Sequence, residues 1–297
     1  MYTAHGRFAA PAKVNFGLCI LGKRPDGYHS IQTILQMVDL CDWLTFRAID
    51  GGAIRLTCIS STLPTDDGNL IVRAARLLQQ TFHVQQGVEI TLDKHIPVAA
   101  GLGGGSSDAA TTLLVLNHAW RLHCGAATLH DLAARLGSDV PFFLDGPTAL
   151  ACGRGEVLSR VTPPPPLKGM LVNPGFGVSA GWAYGQLTKQ STATDLTMST
   201  ILEALRKHDL PLLADVMVND LEPGVAATYP IIRRMQETLQ TMGAPVTFMS
   251  GSGPTVAGLF PLTTDLQTVG RSLRRHSTWT IIPFTTLSQG FHPELRG

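Results

Sequence analysis

Apolar and polar residues alternate between residues 7 and 21: Ala12, Val14, Phe16 and Leu18 fall on one face, Lys13, Asn15 and Gly17 on the other. A period of two predicts a β-strand whose second face carries Lys13 and Asn15 together. A lysine in so apolar a strand either lies at an exposed edge or is aimed into a polar site. Further extended segments are predicted over 30–37, 42–49, 53–59 and 87–92. A helix is predicted over 69–82, with Asn69 as its N-cap and Ala74, Ala75, Leu77 and Leu78 as its apolar stripe. Helices follow over 106–118 and 128–136, the second closed by Gly137, and then a hairpin over 149–161 around Gly153-Arg154-Gly155.

The proline run 163–166 interrupts every regular pattern and divides the chain into 1–165 and 166–297. Beyond it a strand is predicted over 169–172, turned by Asn173-Pro174-Gly175. Strands over 246–249, 255–259 and 280–284 then interleave with helices over 197–207, 230–242 and 262–276. Ser250-Gly251-Ser252-Gly253-Pro254 is a tight turn between two of those strands.

At 297 residues and 44% apolar content the chain can bury the core of two domains or of one large one. A net charge of +1 leaves no electrostatic footprint for nucleic acid or an acidic membrane, and Arg271, Arg274 and Arg275 read as a solvated helix face. The five cysteines contain no C-x-x-C, the ten histidines no H-E-x-x-H, and His118, His123 and His130 lack zinc-finger partners. Reduced thiols and no metal held by protein side chains are the expectation. Residues 1–7 lack the apolar core of a signal peptide, and no run reaches the roughly 18 apolar residues of a membrane span. These readings predict a cytoplasmic protein whose partners are small molecules, with neither nucleic acid nor membrane among them.

The densest candidate chemistry lies at 96–110, where four glycines in five positions (Gly101, Gly103, Gly104, Gly105) precede Ser106, Ser107 and a helical run. Glycines bring backbone N–H groups close to an anion, and a helix start adds orphan donors and a positive dipole end. The segment reads as a phosphate cradle. It carries no lysine after the glycines and does not match G-x-G-x-x-G, so Walker-type and Rossmann readings are disfavoured and its cation must come from elsewhere. Asp108 reads as an early-helix residue favoured by the dipole. Asp139 follows the second helix and precedes the apolar run Val140-Pro141-Phe142-Phe143-Leu144. It is either a surface residue making a local turn hydrogen bond or a carboxylate held for a purpose.

Several of these stretches together resemble the GHMP kinases, which phosphorylate small-molecule alcohols with ATP. They are Pro11-Ala12-Lys13-Val14-Asn15 with Arg24-Pro25-Asp26-Gly27-Tyr28-His29; Pro97 through Ala110; Gly137-Ser138-Asp139-Val140-Pro141-Phe142; and Gly251-Ser252-Gly253-Pro254. The resemblance implies an α+β fold of two domains with the active site in the cleft between them. The N-terminal domain would be like domain 2 of ribosomal protein S5 and bind ATP; the ferredoxin-like C-terminal domain would contribute to the substrate site. It implies ATP as co-substrate, with Mg²⁺, and Asp139 and Lys13 as catalytic base and cation. ATP would be bound by Pro97, Val98, Ala99, Ala100, Gly101, Leu102, Gly103, Gly104, Gly105, Ser106 and Ser107. The Pro-Asp-Gly-Tyr-His segment points to a cytidylylated polyol as acceptor, bound by Asn15, Tyr28, His29 and Tyr184, with Tyr28 and Tyr184 on the two faces of the base. Val178-Ser179-Ala180 departs from the Val-Ser-Thr of relatives, so Ala180 supplies no hydroxyl. The alternatives are another acceptor, of the homoserine or mevalonate type, or a non-catalytic metabolite-binding sensor on the same fold.

Overall fold

The computed structural model describes residues 6–59, 63–187 and 195–290. The alternating N-terminal segment forms β1 (Arg7–Lys23), which runs antiparallel along β2 (His29–Ile49). The pattern predicts two strands where the fold has the single strand β2. Its middle stays extended because it has partners on both sides: Cys41 faces Pro11, and Val38 bridges Thr286. The first half of β2 pairs with β5 (Thr148–Cys152) and the second half with β4 (Gly87–Asp93). β3 (Ile54–Cys58) lies parallel to β4, and β6 (Val157–Arg160) completes the predicted hairpin with β5.

Four helices pack on this sheet: α1 (Leu70–Phe82), α2 (Gly104–Ala119), α3 (Ala126–Leu136) and α4 (Val140–Asp145). Leu78 and Leu113 share a core there with Leu35, Leu44 and Ile90. α1 begins as expected, since the Asn69 side chain accepts a hydrogen bond from the Ile71 N–H.

The second sheet is antiparallel in the order β10-β7-β9-β8, built from β7 (Lys168–Asn173), β8 (Val246–Met249), β9 (Val256–Phe260) and β10 (Thr280–Thr285). Both faces are apolar. Met170, Val172 and Val256 share a core with Ile232 and Leu239 of α9 (Ile231–Thr241) and Leu273 of α10 (Leu266–His276). Leu171, Phe248, Ala257 and Leu259 turn the other way, onto Ala12, Val14 and Phe16 of β1 and Ile201 of α6 (Asp195–Lys207). The Phe16 and Phe248 rings are 5.5 Å apart at 53°. One face of β1 thus joins the two sheets, which aims Lys13 and Asn15 away from that joint.

The pattern misses α4, α5 (Ala180–Gly185), α7 (Leu210–Val216) and α8 (Glu222–Thr228). At six or seven residues each, they are too short to display a 3.6-residue period, and Pro141, Pro211 and Pro223 sit in the first turns of three of them. Among the described residues no helix is long and apolar enough to cross a membrane.

Candidate active site

Lys13 lies in the interior, 4% exposed. Its ammonium donates to Asn15 Oδ1 at 2.6 Å and to the Gly101 carbonyl at 3.0 Å, and lies 3.7 Å from the Asp139 carboxylate. Asn15 passes the restraint on, its Nδ2 donating to Thr33 Oγ1 on β2 at 3.0 Å. Of the two readings open for this lysine, the polar site is the one realised. Burial lowers its pKa below the ordinary 10.5, while the nearby Asp139 charge pulls it back up. Asp139 occupies the cap position of α4 but makes no capping bond. Its carboxylate, 37% exposed, is therefore left for the cleft.

The glycine segment closes over this pair. Gly101 has φ +76°, and a Cβ there would lie 2.0 Å from the Ser250 carbonyl oxygen; at Gly103, with φ +70°, it would meet the Phe143 ring and the Lys13 stem at 2.9–3.0 Å. Only glycine lets the loop approach so closely. The Lys13 N–H donates to Leu102 O and the Val178 N–H to Ala99 O, each at 2.9 Å, so β1 and the segment that follows β7 hold the loop. α2 starts at Gly104, two residues earlier than its period suggests, because Gly103 serves as its cap. The second turn, at 250–253, approaches on the remaining side, with Ser250 Oγ donating to Gly101 O at 3.0 Å.

Lys13, Asn15, Tyr28, His29, Gly101, Gly103, Ser106, Asp139 and Tyr184 all line one cleft of about 840 Å³. Pro97, Val98, Ala99, Ala100, Leu102, Gly104, Gly105 and Ser107 lie outside its lining. Ala100 and Leu102 are buried in the core joining the sheets, which leaves only their backbone for a ligand. At the far end lie the aromatic residues expected to hold the base. Tyr184 stacks on the His29 imidazole, with centroids 5.4 Å apart at 14°, while Tyr28 is 56% exposed and has the Arg154 guanidinium 4.8 Å over its ring. Burial, and secondarily the Asp139 charge, pushes the Tyr184 phenol up to about 12, so it stays a neutral hydrogen-bonding group.

Arg154 is a site residue that pattern reading missed. Its only signal is a charge between two turn glycines, and Gly155, at φ +113°, brings that hairpin tip beside Asp139: a Cβ there would lie 3.9 Å from the carboxylate. A second omission is larger. Asp108, expected to be a dipole-favoured helix residue, is buried and ion-paired at 3.0 Å with Lys94, whose ammonium also bonds Asp42. Asp42 further accepts the N–H groups of His95 and Ile96 at 2.6 and 2.8 Å. The two ends of the glycine segment are thereby clipped together beneath it. Burial, with Asp42 adding to it against the pull of Lys94, raises the Asp108 carboxyl from 3.8 to about 7. Between those values the folded chain binds more protons than the unfolded one, so rising pH costs stability at this residue. Asp108→Asn removes that dependence. Its melting temperature relative to the native chain should climb from about pH 4 to about pH 7 and level off above; a flat difference would show the carboxyl ionised throughout.

Comparison with known proteins places these features in context. The model of the GHMP kinases N terminal domain matches residues 69–147 and that of the GHMP kinases C terminal matches residues 201–277. A 4-diphosphocytidyl-2-C-methyl-D-erythritol kinase of Pelotomaculum thermopropionicum is 44% identical over 90% of this chain and 92% of its own length. One of Geobacter metallireducens is 40% identical over 94% of this chain and 97% of its own. The crystal structure of a 4-(cytidine 5'-diphospho)-2C-methyl-D-erythritol kinase superposes with a TM-score of 0.82 at 33% identity, covering 95% of this chain and 99% of that one. A homoserine kinase from Cytophaga hutchinsonii, at 20% identity and a TM-score of 0.75, shares the fold.

Proposed function

The chain belongs to the GHMP kinase family, and we propose that within it Lys13 and Asp139 carry out phosphoryl transfer to an acceptor read at the Tyr28 end of the cleft. The reaction is transfer of the γ-phosphoryl group of ATP to the 2-hydroxyl of 4-(cytidine 5'-diphospho)-2-C-methyl-D-erythritol, giving the 2-phosphate and ADP. It belongs to the non-mevalonate route to isoprenoid precursors. The observation that carries the assignment of roles is the 3.7 Å approach of the Lys13 ammonium to the Asp139 carboxylate beside Gly101.

An alcohol is a poor nucleophile and the phosphoryl group is already anionic, so the site must take a proton and neutralise charge. Asp139, uncapped and open to the cleft, accepts the proton of the hydroxyl. Lys13 stabilises the alkoxide and the transferring oxygens and orients Asp139. The backbone of the glycine segment and the start of α2 cradle the ATP phosphates. Asn15 spends its amide on Lys13 and Thr33, which makes it a positioner of the ammonium as much as a contact for the polyol.

Mg²⁺ fits this site as an ion carried by the ATP phosphates: among the described residues no group of three or more His, Cys, Asp or Glu could hold a metal. The donor at hand in the cleft is the Ser106 hydroxyl; the next residue's, Ser107 Oγ, is buried behind the lining with no protein partner and would have to turn to reach the ion. The ion supplies charge neutralisation on those phosphates. The acceptor's base would stack on Tyr28, with the His29 backbone reading its edge and Tyr184 closing the slot through the His29 ring. Arg154, between the Tyr28 ring and the Asp139 loop, is placed for the diphosphate that links base and polyol. Such a kinase acts in the cytoplasm, with the first domain ending at the prolines 163–166.

ADP release measured with the cytidylylated polyol, against mevalonate and homoserine, tests the acceptor; equal rates with all three, or none with any, would overturn it. Tyr28→Ala should raise KM for the cytidylylated acceptor about tenfold. A substrate lacking the base should be unaffected, and an equal rise for both would remove Tyr28 from the slot.

A further inference from the structure

The segment Asn219-Asp220-Leu221-Glu222-Pro223 lies far from the cleft in sequence and carries none of the roles given above, yet its polar groups converge on the cleft's third wall. Residues 218–220 run beside the free edge of β1: the Leu18 N–H donates to Val218 O, the Asp220 N–H to Leu18 O, and the Asp220 carboxylate accepts from the Ile20 N–H, at 2.6–2.9 Å. Asn219 then reaches across to the turn after β8. Its Nδ2 donates to both Met249 O and Gly251 O, at 2.8 and 2.9 Å, while its Oδ1 accepts from the Leu221 N–H. Glu222 holds the same turn from behind, with one oxygen accepting the Met249 N–H at 2.9 Å and the other the Gln236 amide at 2.8 Å.

The two Asn219 bonds bracket Ser250. The buried Ser250 hydroxyl donates to Gly101 O, the carbonyl that also accepts from Lys13 Nζ. Gly251 comes so close that a Cβ there would lie 3.0 Å from Asn15 Oδ1 and 3.2 Å from Lys13 Nζ. Of the three N–H directions of the Lys13 ammonium, Asn15 and Gly101 take two, which leaves the third toward the Asp139 carboxylate 3.7 Å away and the cleft. A shift of Gly101 O swings the ammonium away from the reacting oxygens.

We propose that Asn219, seconded by Glu222, is a positioning residue for phosphoryl transfer: it clamps the Ser250-Gly251 turn to β1 and so fixes the carbonyl that aims Lys13. Asn219 and Glu222 lie outside the cleft lining, so the clamp acts on turnover rather than on binding. It rests on the reading of Lys13 given above.

The test compares Asn219→Ala, Glu222→Ala, Glu222→Gln, Ser250→Ala and the double variant Asn219→Ala/Ser250→Ala in full steady-state kinetics, with melting temperatures measured alongside. Asn219→Ala and Glu222→Ala should lower kcat about tenfold or more with both KM values within about twofold, since misplacement of a catalytic group by a fraction of an ångström has that effect. Glu222→Gln, which keeps an acceptor for the Met249 N–H, should restore turnover. The double variant should be no worse than its slower parent, because both changes break one chain of contacts. Native kcat in folded Asn219→Ala, a loss seen only as raised KM, or additive losses in the double variant would overturn the clamp. Should Asn219→Ala fail to fold, Ser250→Ala and the Glu222 pair decide by the same criteria. Lys13→Ala is the separating control: native turnover there defeats the reading of Lys13, whereas an inactive Lys13→Ala with unimpaired clamp variants defeats the clamp alone.

Discussion

Asp139→Asn is expected to lower turnover at least about a hundredfold while leaving the KM for ATP within a fewfold of native, the signature of a lost proton acceptor. The asparagine keeps the shape of the side chain and the start of α4, because the native carboxylate contributes no capping bond there. What disappears is the proton sink and half of the pair with Lys13. Lys13→Ala should cost as much, since on the proposed roles it removes the cation that stabilises developing charge, and it leaves Asn15 Oδ1 without its buried donor and Gly101 O with the Ser250 hydroxyl alone. The pH profile separates the two roles. On the proposed roles turnover requires the Lys13 ammonium, and burial sets its pKa below 10.5, so kcat should fall on the alkaline side at a lower pH than an ordinary lysine dictates. In residual Asp139→Asn activity the charge that raises this pKa is gone, and the alkaline limb should move further down. Near-native turnover in either variant, or a limb that does not move, would remove these residues from the chemistry.

The parts of this site that pattern reading reaches are those written locally. The two-residue period places Lys13 and Asn15 on one face, glycine spacing marks the cradle, and Asn69 announces α1. Whether Lys13 meets water or a site depends on partners at 101 and 139, which no period encodes. The Asp42–Lys94–Asp108 cluster joins positions 52 and 14 residues apart, and each member alone reads as an ordinary surface charge. Asp108 in particular satisfies the helix-dipole rule and is nonetheless buried, because Lys94 reaches it beneath Gly104, where a Cβ would lie 2.9 Å from that ammonium. The stacking of Tyr184 on His29 likewise joins positions far apart in the chain. Family resemblance supplied the chemistry of Asp139; geometry supplied its neighbours.

Among the described glycines, Gly101→Ala should be the most damaging added methyl group, and its effect is set by two independent terms. The first is conformational: at φ +76° an alanine is roughly 1–2 kcal/mol less favourable than glycine. The second is steric: the new Cβ would stand 2.0 Å from Ser250 O and 3.0 Å from the Gly253 backbone nitrogen, both main-chain atoms that cannot rotate aside. Ordinary carbon–oxygen contact requires the glycine segment and the 250–253 turn to separate by about 1 Å or more. That gap opens at the carbonyl shared by Lys13 and Ser250. Turnover should therefore fall at least about a hundredfold, even in protein that remains folded. Gly105→Ala supplies the contrast for stability, because its Cβ meets only the Leu70 side chain at 3.8 Å in an ordinary helical conformation. It should melt no lower than the native chain, since alanine is favoured over glycine in a helix by about 1 kcal/mol. Native kcat/KM in Gly101→Ala would mean that the two turns need not meet over Lys13. A loss of activity with an unchanged melting temperature would instead locate the whole effect in the aim of the ammonium.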